Sequence, residues 1–82
     1  MNDFVDMKEK EYNGHPSHAH WNVALWFAND QGLYYWISNL VQETGLEEAI
    51  EGITDGLQGE STPDGVAYTP ELVRYAIEAL EL

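Results

Sequence analysis

Glu47, Glu51 and Asp55 recur every four residues, with Glu48 beside the first of them. On a helix this spacing stacks carboxylates on one face, with Cβ atoms about 5–6 Å apart. No Lys or Arg occurs between Trp21 and Arg74. The usual neutralising partners are therefore missing, and like charges at this spacing cost a few tenths of a kcal/mol each. Such a row can offer negative charge to a cationic partner, and its repeat is comparable with that of duplex phosphates. Glu43 lies just upstream, Glu60 and Asp64 lie in the following loop, and Glu71 and Glu78 lie near the C-terminus. The expected partner-binding set is Glu43, Glu47, Glu48, Glu51, Asp55, Glu60, Asp64, Glu71 and Glu78. Two plainer readings stand beside it, a solvated helix face and a halophilic surface.

Other chemistry finds less support. His15, His18 and His20 form an H-x-x-H-x-H run that fits no strong zinc pattern. They read as loop and helix-start histidines, with His18 and His20 stacking on Trp21, and no metal or cofactor is assigned. Ser17 and Ser61 lack a nucleophile elbow, the seven glycines are scattered rather than gathered in a phosphate loop, and cysteine is absent. The expectation is a protein that is not an enzyme.

Composition sets the outer bounds. Fifteen acids stand against Lys8, Lys10 and Arg74, a net charge of −12 on 82 residues. Gripping nucleic acid or an anionic membrane needs clustered bases, so direct contact with either is not expected. With 44% hydrophobic residues, three Trp and five Tyr, the chain is built to fold. The N-terminus lacks a signal-peptide pattern and Trp21 to Ala28 is too short to span a bilayer, so a cytoplasmic location is expected.

The elements that would carry these residues follow from local patterns. Residues 1–16 read as an extended arm and residues 17–82 as a helical body, together one domain. Ser17 is placed to cap a first helix whose face is Trp21, Ala24, Leu25 and Ala28. Asn29-Asp30 ends it and starts a second helix over Gln31 to Glu43, with Leu33, Trp36, Ile37, Leu40 and Val41 inward and Tyr35 and Asn39 outward. Gly45 closes that helix, while Thr44 and Glu47 make a capping-box pattern for a third. Leu46, Ala49, Ile50, Ile53 and Leu57 form the third helix's apolar face. Gly52 and Gly56 weaken this helix by about 1 kcal/mol each and permit close approach of another element. Gly59 to Gly65 is a loop, and Val66 to Tyr68 a brief extended piece. Thr69-Pro70-Glu71 opens a last helix that runs to the C-terminus with Leu72, Val73, Ala76, Ile77 and Leu80 inward. The predicted fold is all-α, a small four-helix domain with an N-terminal arm. The alternative is α+β, with a two-stranded element between the arm and Val66 to Tyr68.

Tyr12-Asn13-Gly14, then Trp21-Asn22-Val23-Ala24-Leu25-Trp26, Asn29-Asp30 and Gly32-Leu33-Tyr34 resemble a family of small proteins encoded by phages, prophages and other mobile elements. The shared pattern is YNG…WNVALWxxNDxGLY, and it covers about residues 12 to 36. The resemblance implies no catalytic residue. It implies a context in which small acidic proteins are often anti-CRISPR or anti-restriction factors, several of them DNA mimics. The functional expectation is a non-enzymatic anti-defence inhibitor acting in the host cytoplasm. Its acidic, DNA-mimicking surface would occupy the basic nucleic-acid-binding site of a host defence complex. The alternative is an interaction or assembly module that binds through exposed aromatics (Tyr12, Tyr35 or Tyr68), as a monomer or a homodimer.

Charge position sharpens the expectation. Ten of the acids and only one base, Arg74, lie from Glu43 onward. The negative excess belongs to one half of the chain.

Overall fold

The computed structural model describes residues 14–82. Four helices account for most of them: α1 (His18–Asn29), α2 (Gln31–Thr44), α3 (Leu46–Gly56) and α4 (Pro70–Ala79). The fold is all-α. Residues 1–13 of the N-terminal arm, Tyr12 among them, lie outside the described residues.

Helix boundaries follow capping chemistry. The Ser17 hydroxyl accepts the His20 backbone N–H at 3.2 Å and starts α1. Asp30 serves two helices: its N–H donates to Trp26 O, and its carboxylate accepts the Leu33 N–H. Thr69 caps α4, with Pro70 in the first turn. Gly45 adopts φ 89° and ψ 165°, and its N–H donates to Val41 O to close α2. The expected Thr44–Glu47 capping box does not form. Thr44 Oγ1 donates back to Leu40 O, and both oxygens of Glu47 are held by Arg74. At the other end α4 stops at Ala79, short of the C-terminus, with Glu81 at a positive φ.

The core draws on all four helices. Val23, Phe27, Ile37, Ile53, Val73 and Ile77 are its most deeply buried apolar side chains. α1 packs chiefly on α4 and α2 on α3, with α1–α2 and α3–α4 contacts closing the bundle. The inward face of α1 is rolled from the expected stripe. Asn22, Val23, Ala24 and Phe27 are buried while Ala28 is exposed. Asn22 sets this roll because it must reach polar partners in the loop after α3. On α2 the expected stripe is only thinly covered: Ile37 is buried, but Trp36 lies at the edge. Trp36 instead lies across Gly56, where an added Cβ would come within 2.7 Å of the indole ring. Gly52 likewise faces Leu40. These two glycines let α3 approach α2 closely.

Between α3 and α4 the chain folds back on itself. Ser61 and Ala67 form an isolated antiparallel bridge, flanked by Thr62 N–H to Val66 O and Tyr68 N–H to Glu60 O. Val66 to Tyr68 thus pairs within its own loop. Tyr68 is 8% exposed and packs on Phe27 with ring centroids 5.8 Å apart. This corrects its expected role as an exposed anchor. Burial, and after it the carboxylates of Asp30 and Glu60, push its phenol up from the ordinary value.

Candidate functional site

The acidic row of α3 is exposed along its length. Glu47 and Glu48 occupy the first helical turn, where the N-terminal end of the helix dipole favours negative charge. Glu51 and Asp55 follow on the same side, opposite the buried Ala49, Ile50 and Ile53. Where α3 meets the start of α4 a cleft of about 360 Å³ opens. Its α3 wall is Glu47, Glu48, Ile50, Glu51, Thr54 and Asp55, and its α4 wall is Pro70 and Arg74. Four of the nine expected partner-binding carboxylates therefore share one concave surface.

One cation already sits in that cleft. Arg74 grips Glu47 with both terminal nitrogens, Nη2 to Oε1 at 2.6 Å and Nη1 to Oε2 at 3.0 Å, and Nη1 also reaches Glu78 at 3.4 Å. The hydrogen bonds, and then the charge of Arg74, hold the Glu47 carboxyl below its ordinary range. The same two partners raise the affinity of Arg74 for its proton. The bidentate geometry matches a planar guanidinium to a carboxylate. All three side chains are solvent-facing, so the cluster orients charge more than it stabilises the fold. On the sequence, the acids of α3 have no neutralising base within helical reach. The structure joins Arg74 to α3.

The remaining expected acids lie elsewhere. Glu43 is in the last turn of α2, and Glu60 is in the loop after α3. Glu71 sits 3.3 Å from His20 Nε2. Asp64 has an internal role: it accepts Asn22 Nδ2–H at 2.8 Å and Trp26 Nε1–H at 3.0 Å. These bonds, Asn22 first, hold its carboxyl below the ordinary range. Asn22 in turn accepts the Thr62 hydroxyl at 2.6 Å, and Thr62 Oγ1 accepts the N–H groups of Asp64 and Val66. Asn22 and Thr62 are both buried. This network was not foreseen. Its only sequence signal is Asn22, the one polar residue in the apolar run Trp21 to Ala28.

The histidines are absorbed structurally. His18 tilts against Trp21 as expected, with centroids 5.3 Å apart. His20 instead meets Tyr75 edge-on and lies 2.7 Å from Ser17 Oγ. His15 Nδ1 lies 2.6 Å from the Tyr75 hydroxyl. Ser17, His20 and Glu71 thus string together a hydroxyl, an imidazole and a carboxylate. The Ser17 oxygen, however, is engaged as the cap acceptor of α1, and none of the three lines the cleft. Among the described residues no three His, Asp or Glu side chains converge to ligate a metal ion, and no helix is long and apolar enough to cross a membrane.

The family model that matches the chain, over residues 8–82, is the family of unknown function DUF7249. The match spans nearly the whole sequence, and the chain belongs to that family. No curated protein and no solved structure matches it.

Proposed function

We propose that this member of DUF7249 is a non-enzymatic inhibitor whose acidic α3 face occupies the basic nucleic-acid-binding site of a host defence complex, of CRISPR or restriction type. The supporting observation is the grouping of Glu48, Glu51 and Asp55 along one cleft with Glu47, where Arg74 is the single base. Glu48, Glu51 and Asp55 make no salt bridge with any described residue. A surface of this kind draws a Lys- and Arg-lined groove by long-range attraction and competes with DNA for it. Arg74 indicates the geometry of the contact, a guanidinium laid flat against a carboxylate pair.

The reading is tested by competition. A CRISPR effector or restriction endonuclease is held with labelled DNA, and the protein is titrated in at rising salt. DNA is expected to be displaced near 50 mM salt and much less so near 200 mM, because the contacts are ionic. Reversal of Glu48, Glu51 and Asp55 to Lys is expected to abolish displacement while far-ultraviolet circular dichroism stays helical. Displacement that is indifferent to salt, or that survives the reversal, sinks the proposal.

A further inference from the structure

We propose that the outer face of α2 pairs with the same face of a second copy of this chain, forming a reversible two-fold dimer joined helix to helix. Among the described residues, α2 is the helix with the fewest buried side chains. Of its 14 residues Ile37 alone is buried, and Leu33, Leu40 and Val41 are only partly so. Helical spacing puts Gln31, Tyr35, Asn39 and Gln42 in one row, and all four are exposed. Tyr35 is 56% exposed, and Trp36 flanks the row at 39%.

Charge favours this face over the acidic ones for contact between like chains. From Gln31 to Gln42 there is neither an acid nor a base, in a chain of net charge −12. On α3, two copies would set Glu47, Glu48, Glu51 and Asp55 against their own kind. The α2 face is where like chains can approach closely. A two-fold contact must be self-complementary. Amides and a phenol both donate and accept, so the Gln–Tyr–Asn–Gln row can pair with its own copy. A rigid Tyr among amide side chains is also the composition of adaptable protein-binding surfaces. Asp30 and Glu43 frame the row, so antiparallel pairing brings these acids near each other at both ends. The helix is about 21 Å long, which puts the contact at the small end of specific interfaces and makes the dimer concentration-dependent.

The proposal stands apart from the acidic-face reading, and salt separates the two. Salt weakens capture of a basic partner, whereas it screens repulsion between two acidic chains and strengthens the dimer. Sedimentation of the full chain is followed from about 10 μM to about 1 mM, a range suited to weak contacts of this size. The mass is expected to rise from 9.3 kDa toward twice that value, and at lower concentration when salt is raised. Amide chemical shifts that move with concentration are expected to map to α2. The variant Tyr35→Glu/Asn39→Glu is expected to stay monomeric at every concentration, with unchanged circular dichroism and undiminished capture of a basic partner. A wild-type chain that stays at 9.3 kDa throughout overturns the proposal, as does undiminished association of the double variant. Nuclear Overhauser contacts from α2 to residues 1–13 of the same monomer also overturn it, since the arm would then be the occupant.

Discussion

Asn22 is linked to Asp64 across 42 positions of sequence by a 2.8 Å hydrogen bond, and it does so from a fully buried site. The amide uses both ends. Its nitrogen serves Asp64 and its oxygen receives the Thr62 hydroxyl. No buried polar side-chain atom among the described residues is left without a partner. Replacing Asn22 by Leu keeps the volume and removes both functions. The expected loss is about 1–3 kcal/mol, the penalty for leaving buried partners unsatisfied. Urea unfolding of the variant measures it, and Thr62→Val in the Asn22→Leu background should recover part of the loss.

The same link makes stability depend on pH in a definite direction. Asp64 is held below its ordinary value of 3.8 and Glu47 below its ordinary value of 4.5. Each therefore binds its proton more weakly folded than unfolded. Their contribution is present above the unfolded values and is lost as pH falls below them and through the lower folded ones. Protonation of the other acids relieves repulsion over the same range, so the test is differential. Asp64→Asn is expected to flatten the acid limb of the melting-temperature profile relative to wild type. Identical limbs would show that Asp64 carries none of the dependence.

Gly45 adopts φ 89° and ψ 165°, a region open essentially to glycine. Gly45→Ala is expected to cost about 1–3 kcal/mol through backbone strain alone, since the added methyl meets open space. A lowered denaturant midpoint at constant slope is the signature. An unchanged midpoint would mean that the α2–α3 corner has relaxed into another conformation.

Much of this architecture was legible because it is local. Ser17, Asp30, Gly45 and Thr69 mark the helix ends, and each signal acts within about one turn of its own position. The inward faces of α3 and α4 were readable for a similar reason, since each has one apolar side and one acidic side, but Leu46, expected inward at the start of α3, is 42% exposed. α1 was not. Trp21, Val23, Leu25, Trp26 and Phe27 leave several rolls nearly equal, and a partner on a distant loop chooses among them. Tyr68 was misjudged on the same ground, since its burial depends on Phe27. In the acidic cleft the α3 wall could be read from a four-residue spacing. The bond from Arg74 to Glu47 could not, because 27 positions separate the two residues.

Arg74→Gln isolates what that bond does. Net charge passes from −12 to −13 with the loss of one base. Thermal stability is expected to change little, because exposed ion pairs contribute little. Binding to a basic groove is expected to tighten and to fall more steeply with salt, as Glu47 becomes available. Weaker binding of Arg74→Gln would mean that Arg74 holds Glu47 in the posture the partner needs.

The chief packing partner of α1 is α4, the helix farthest from it along the chain. During synthesis, then, Val23 and Phe27 emerge long before Val73 and Ile77, and they wait without their cover. The first three helices cannot complete this core, and the bundle closes only once the α4 segment has cleared the ribosome. A nascent chain stalled after Gly65 would expose an apolar patch to chaperones and proteases, and premature termination would yield a fragment cleared by the cell rather than a shortened but working protein.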